Sequence, residues 1–544
     1  MGDAMTRDSE VPVLIVGAGA AGLSTAAVLA QQGVKSWVVE RRAAVYRYPK
    51  ARNLSFRSLE ILRRLGLRDA VHAVADDVSD MVVKPSLSSA VEAPALDLDS
   101  IFGGLADLSP EPPAQYCPQS RLEPMLADYV RGRGNDVSYS TELLSFSQDD
   151  NGVRARLRDR QSGLISDLRA RYLIAADGVH SPIRKSLAVS TSGHGALPIY
   201  VIFVYFKSPW RQMVSHLREG SAVQIVNADV NGILVPADGD LAIFVTTYFP
   251  EDGDTAASFT EQHCRDLLVA AIGQPIDISI ADITPWQPHE LVADQFRCGN
   301  VFFVGDSAHA MPPFKAGGAN VAIQSADNLA WKLAAVVNGT ASDGLLDTYH
   351  TERHPVGVFS ARQSVTGPSI RLLNLPADAD LPSIDERSMF ALLIGYRYAS
   401  AAVVGDPAPA DDDIHLIEAL RAQPGTRLPH AWVIDHGERV STLDMLGVGF
   451  TLLTGTDDAV WRDAVRDAQV PITLRSIGTH DAVDPDGRWN AISGLCSTGA
   501  LLVRPDAFVA ARFDTALADP RQAVHRALSA VLGTCRPAQG HGHG

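Results

Sequence analysis

The 544-residue chain has only five cysteines, Cys117, Cys264, Cys298, Cys496 and Cys535, and no two of them stand at C-x-x-C spacing. That spacing is what a redox dithiol or a pair of zinc ligands needs, so the thiols read as reduced side chains of a cytoplasmic protein and no metal site is expected. Positive charge is also short. Lys and Arg number 47 against 63 Asp and Glu, for a net charge of −16, and no Lys/Arg-rich block occurs. The electrostatic footprint of a nucleic-acid binder is missing, and DNA and RNA are not expected partners. The opening stretch, MGDAMTRDSEVPVLIVG, places acids before its apolar run and a glycine at its end. It resembles neither a signal peptide nor a membrane span of about 20 residues, so no membrane association is expected. Gly2 and Thr6 satisfy an N-terminal acylation pattern too short to carry weight alone. What remains, 46% hydrophobic and 20% charged residues over this length, is the composition of a globular protein of two or three domains.

VPVLIVGAGAAGLSTAAVLAQQGVKSWVVERR reads as strand, glycine turn, helix and strand. Gly17, Gly19 and Gly22 form G-x-G-x-x-G. The first glycine permits the turn, the second lets backbone approach a pyrophosphate, and the third lets helix and strand pack closely. Glu40 ends the second strand, placed for ribose hydroxyls. This motif predicts a dinucleotide without separating FAD from NAD. RYLIAADGVHSPIRKSL is an apolar strand ending in Asp177-Gly178, followed by Ser181 and Arg184. GNVFFVGDSAHAMPPFKAGGANVAIQSADNLAWKLAAVV is a strand, Gly305-Asp306, and a helix starting near Gly318. Asp306 at a strand end suits a polyol hydroxyl, and a helix N-terminus suits a delocalised anion. A ribityl chain on a reducible isoalloxazine supplies both.

G-x-G-x-x-G, then D-G-x-x-S-x-x-R, then G-D, in this order, resembles the class A flavoprotein monooxygenases of the para-hydroxybenzoate hydroxylase fold group. PKARNLSFRSLEILRRLG, PQSRLEPML, LLDTYHTERHPVG, GYRYASAAVV and ALLVRPDAFVAARF look like the aromatic polyketide hydroxylases among them, over nearly the whole chain. The resemblance implies an α/β fold: a Rossmann-like FAD-binding domain (1–190 and 282–402) interleaved with an antiparallel-sheet substrate domain (191–281). A linker (403–413) and a thioredoxin-like C-terminal domain (414–544) follow. It implies non-covalent FAD held by Gly17, Gly19, Gly22, Glu40, Arg41, Lys50, Gln119, Asp177 and Asp306, with Pro313, Gly317, Gly318 and Asn320 along the flavin ring. Lys315-Ala316 stand where Gly-Gly is usual in the family.

Only one G-x-G-x-x-G occurs, so NADPH or NADH is expected as a visiting reductant. O₂ would be the co-substrate and a flavin hydroperoxide the oxygen donor, as the resemblance implies. The helix after Gly318 would stabilise the reduced flavin anion by up to about 1–2 kcal/mol. LPIYVIFVYFKSP, SAVQIVNADVNGILVPADG and DLAIFVTTYFPED read as antiparallel strands. Tyr205, Phe244, Tyr248 and Trp286 are expected wall residues for a small, flat aromatic substrate. His309 is the nearest candidate acid-base group. The same scaffold could perform a Baeyer–Villiger insertion, and a non-oxygenating electron carrier is a further alternative. The C-terminal region lacks the redox dithiol, so a structural or homodimer-related role is expected. All nucleotide motifs precede residue 340, so flavin binding is expected to survive removal of the chain after about Asp411.

Overall fold

A computed structural model describes residues 9–46, 48, 52–77, 81–95, 101–218, 220–237, 240–315, 317–366, 370, 383–405, 413–478, 482–515 and 518–534. The elements that position the site are, in chain order, β1 (Ser9–Val16), α1 (Ala20–Gln31), β2 (Ser36–Val39), β3 (Ile165–Ala175), β4 (Tyr200–Lys207), β5 (Leu241–Tyr248), β6 (Ser279–Trp286), β7 (Val301–Phe303), α2 (Gly317–Val337) and α3 (Asp347–Gln363). Among the described residues no helix is long and apolar enough to cross a membrane.

The first sheet runs β7, β3, β1, β2, and these four strands are mutually parallel. Where these strands pass through the core they are apolar on both faces, whereas the first half of β3 alternates exposed and buried positions. Val13, Leu14, Ile15, Leu173, Ile174, Phe302 and Phe303 are all inaccessible. Helices α1 and α2 belong to the same core, α1 through Leu23, Ala26, Ala27 and Leu29, and α2 through Ile323, Ala326, Leu329 and Leu333.

The second sheet has seven strands in the order Ser279–Trp286, Tyr200–Lys207, Leu241–Tyr248, Asn231–Pro236, Ala222–Val226, Met81–Lys84, Ala93–Pro94. Every neighbouring pair is antiparallel except Ala222–Val226 beside Met81–Lys84. The range 191–281 therefore misses strands inserted from residues 81–94 and cuts through β6. A break inside a continuous hydrogen-bonded ladder is invisible to local turn signals.

The C-terminal region builds a four-stranded sheet, Ile472–Ser476, Phe450–Thr454, Ala500–Val503, Val509–Phe513, with the first pair parallel and the others antiparallel. One face, with Leu452, Leu502, Trp461 and Leu528, joins the core of the first sheet. Part of the expected linker, 406–412, lies outside the described residues. The chain before it is docked rather than free, since Val404 N donates to Ala510 O at 2.7 Å.

Ion pairs cross this contact inside the protein. Glu352 on α3 takes Arg504 through both oxygens at 2.6 and 2.8 Å and Lys332 on α2 at 2.8 Å, and all three side chains are inaccessible. Arg504 also pairs with Asp506, whose carboxylate accepts from Trp331 Nε1 at 3.1 Å. Burial alone would raise the Glu352 carboxyl, but Arg504 and Lys332 outweigh it and hold it well below the ordinary carboxylate range. Removing the chain after Asp411 would leave Lys332 and Glu352 without Arg504 and strip cover from the shared core. The cut is therefore expected to lower stability.

Candidate FAD and substrate site

The three sequence motifs meet at one edge. Gly17 follows β1, Glu40 follows β2, Asp177 follows β3 and Asp306 follows β7. In the sheet order β7, β3, β1, β2 they stand in a row of Asp306, Asp177, Gly17 and Glu40 along the carboxyl ends of parallel strands. Ligands of open α/β sheets sit at that edge, and three strand spacings give a row of about 14 Å.

Contacts across the row are close. A Cβ on Gly17, whose φ is +113°, would meet Ala176 O at 2.2 Å, and one on Gly22 would meet Gly17 O at 2.0 Å. A Cβ on Gly19 would have only Glu123 Oε1 near it, at 3.8 Å. Gly17 and Gly22 are thus demanded by packing, whereas Gly19 keeps an open cradle at the start of α1, where backbone N–H groups and the helix dipole favour phosphate. Glu40 Oε2 accepts from Ala18 N at 3.1 Å and Oε1 from Arg42 N at 2.9 Å, so the carboxylate shapes the loop and retains lone pairs for ribose hydroxyls. The Arg41 side chain is exposed. Asp177 Oδ2 accepts from Ile183 N at 3.2 Å, while Oδ1 is buried without a partner, and burial raises this carboxyl. An orphaned buried oxygen beside an open phosphate cradle fits FAD.

Sequence reasoning missed the clamp between the second and third motifs. Arg184 Nη1 donates to Ser307 O at 2.6 Å, and Ser307 Oγ donates to Ala175 O at 2.5 Å, tying the end of β3 to the turn after β7. Gln119 begins the helix Gln119–Gly132. Lys50 lies outside the described residues.

Pro313 is exposed in a short turn before α2, and Gly317 and Gly318 open the helix half-exposed. Lys315, at the unusual position, pairs with Glu386 at 2.9 Å. Asn320 does not present its side chain outward. Its Oδ1 accepts from Ser55 N at 2.9 Å and Ser58 Oγ at 2.6 Å, and its Nδ2 donates to Asn53 O at 3.0 Å. It fixes the chain at 53–58 against the first turn of α2.

Strand alternation sorts the four expected wall residues. Tyr205 packs with Tyr48, Val235 and Ile243, and Trp286 packs beside Val201 and Phe203, on the inner face of the second sheet. Phe244 and Tyr248 pack with Val204, Phe206 and the helix Glu261–Ile272 on the outer face. Phe244 lies opposite Val204, so it shares that residue's face, and the assignment of Phe244 and Tyr248 to the substrate wall is corrected. Tyr48 supplies the contact that sequence reasoning missed, its ring centroid 4.2 Å from that of Tyr205.

His309 is wholly inaccessible. Its Nε2 lies 3.3 Å from Ser325 Oγ, its ring packs on Phe296, and Nδ1 has no partner. Burial, reinforced by the neighbouring Arg353 charge, pushes its pKa down to about 3. The imidazole is neutral and enclosed, which corrects its assignment as the acid-base group. Its consequence is for acid stability. Below the ordinary pKa of 6.5 the unfolded chain takes up a proton that the folded chain refuses until about pH 3. Stability present above pH 6.5 is therefore lost as pH falls, by about 1.4 kcal/mol per unit for this histidine. His309→Gln should flatten the stability slope between pH 4 and 6.5 by about that amount, read by denaturant titrations at several pH values. An unchanged slope would refute the buried neutral assignment.

Known families match both halves of the chain. Residues 10–364 match the FAD binding domain family, and residues 421–535 match the aromatic-ring hydroxylase C-terminal family. Tetracenomycin B2 monooxygenase-dioxygenase of Streptomyces olivaceus is 38% identical, with 96% of this chain and 99% of that protein covered. Aklavinone 12-hydroxylase of Streptomyces purpurascens is 35% identical over 97% of this chain and 99% of its own. The crystal structure of aklavinone-11 hydroxylase with FAD and aklavinone superposes with a TM-score of 0.87 at 34% identity, covering 97% of this chain and 100% of that one. Glycine cradle, strand-end acids and whole-length likeness agree, and the chain belongs to the FAD-dependent aromatic-ring hydroxylases.

Proposed function

We propose that this enzyme uses FAD, NADPH or NADH, and O₂ to hydroxylate a polycyclic aromatic polyketide in antibiotic biosynthesis. The reading is carried by the row from Asp306 to Glu40 for the cofactor, together with the inner sheet face of Tyr205, Phe203 and Trp286 for a flat ring. Bound FAD supplies activation of dioxygen and delivery of one oxygen atom. The chain's own residues do the rest. Gly19 leaves room for the pyrophosphate, Asp306 and Glu40 face polyol and ribose hydroxyls, and the dipole of α2 favours negative charge at its N-terminus. The inner face excludes water and orients a planar substrate by stacking. The relatives named above act on tetracenomycin and aklavinone, which are such substrates. The strand order of the C-terminal sheet supports reading that region as thioredoxin-like, with a structural role or one in pairing two copies.

Turnover of aklavinone or a tetracenomycin precursor under labelled dioxygen tests the reaction type. One labelled oxygen on a phenolic carbon, located by its carbon-13 shift, is the expected result. A labelled ester or lactone oxygen would assign a Baeyer–Villiger insertion instead.

A further inference from the structure

Arg52 is partly buried, and the backbone around it is held by two neighbouring segments. Arg52 O accepts from Cys117 N at 2.7 Å, and the next residue's carbonyl takes Asn320 Nδ2 at 3.0 Å. Asn320 belongs to the first turn of α2, so Arg52 stands beside that helix start. Across the short ladder, Asn53 pairs with Tyr116. The Arg52 side chain hydrogen-bonds the Tyr116 phenol, whose hydroxyl also donates to Pro236 O of the substrate sheet at 2.9 Å.

The groups that act on Arg52 are phenols. Tyr116 and Tyr205 are its electrostatic neighbours, desolvation holds the guanidinium below its ordinary pKa, and burial pushes the Tyr205 phenol up, so Tyr205 stays neutral. Among the described residues no carboxylate forms an ion pair with Arg52, while Arg57, Arg427 and Arg504 each have one. Arg353 also lacks one, but it is inaccessible and spends its hydrogens on Ser325, Tyr396, Tyr398 and Val321 O. Arg52 keeps part of its surface open. A desolvated cation without a counter-charge is costly, and that cost is relieved when an anion enters.

We infer that Arg52 receives the ionised oxygen of the aromatic substrate, a phenolate or the enolate of a hydroxyquinone, beside the reacting edge of the flavin. The inference rests on the hydroxylase reading. The substrate O–H loses its proton to water, Arg52 keeps all of its own, and the oxyanion raises electron density at the ortho and para carbons, where an electrophilic oxygen is accepted. The guanidinium matches an oxyanion flanked by a carbonyl through two parallel N–H donors.

The test uses FAD-loaded enzyme and alizarin, a hydroxyanthraquinone whose visible band moves to longer wavelength on ionisation. Bound to the wild-type enzyme, alizarin should titrate at least one pH unit below its value in water, the shift expected of an adjacent opposite charge. Arg52→Gln should remove that shift and weaken binding of the anion by about tenfold or more, whereas Arg52→Lys should keep most of it. Should Arg52→Gln fail to fold, the wild-type and Arg52→Lys titrations carry the test. No binding, or bound alizarin that titrates as it does in water, overturns the inference. An unshifted alizarin together with a changed flavin reduction potential in Arg52→Lys would assign the charge to the cofactor and also overturn it. Failure of the hydroxylase reading shows separately, as the absence of a labelled phenolic oxygen in the turnover experiment.

Discussion

Glu352→Gln is expected to destabilise the enzyme by about 3–5 kcal/mol, seen as a lower denaturant midpoint and earlier release of FAD fluorescence on heating. The carboxylate is the shared counter-charge of Arg504 and Lys332, and all three groups are inaccessible to solvent. A glutamine keeps the shape and removes the charge, so two cations remain desolvated with Asp506 as the nearest compensation. Breaking one side of a buried ion pair is costly for that reason, whatever the intact pair contributes in net terms. A midpoint within the range of an exposed control substitution would refute the assignment of Glu352 as the charge centre of the contact between the C-terminal sheet and helices α2 and α3.

Gly22→Ala is expected to yield colourless or insoluble protein, in contrast to a yellow wild type with non-covalent FAD. The added methyl would stand 2.0 Å from Gly17 O and 3.2 Å from Ile15 Cγ2, and backbone at the core of a parallel sheet has nowhere to go. Overpacking of this kind costs about 3 kcal/mol or more and also displaces the helix start that faces the phosphates. Gly19→Ala separates the two effects. Its methyl meets nothing closer than 3.8 Å, so the fold should be retained with an unchanged circular dichroism spectrum. The methyl occupies the cradle, and FAD affinity should fall tenfold or more. The flavin-to-protein absorbance ratio after gel filtration reads both outcomes, and a fully flavinated Gly22→Ala would show that α1 and β1 do not pack as described.

Local signals carried the nucleotide site. The spacing of Gly17, Gly19 and Gly22 and the acids closing successive strands each encode geometry within a few residues of themselves, so the motifs are legible one at a time. The β-branched runs of the second sheet were legible for the same reason. Side-chain destinations were not. Whether Phe244 faces the flavin side or the helix side depends on register with a strand elsewhere in the sheet, and a shift of one residue reverses it. Asn320 reads as a flavin neighbour from its position, yet its oxygen is taken by Ser55, 265 residues away. His309 sits three residues from Asp306 and turns into the core instead. Glu352 and Arg504 are 152 residues apart, and neither TERHP nor VRPDA says that the two will meet.

The crossing of charges between α2, α3 and the C-terminal sheet bears on how such enzymes can be recombined. The stretch between the two family matches, 365–420, is the natural place to join the front half of one relative to the back half of another. A crossover there separates Lys332 and Glu352 from Arg504 and Asp506, so the hybrid inherits two halves of a neutral set from different parents. Hybrids whose parents share all four residues should mature into yellow protein. A parent that has replaced the set with apolar side chains would contribute a half that accepts only its own kind, and in such shuffled libraries these four positions would behave as a single inherited unit.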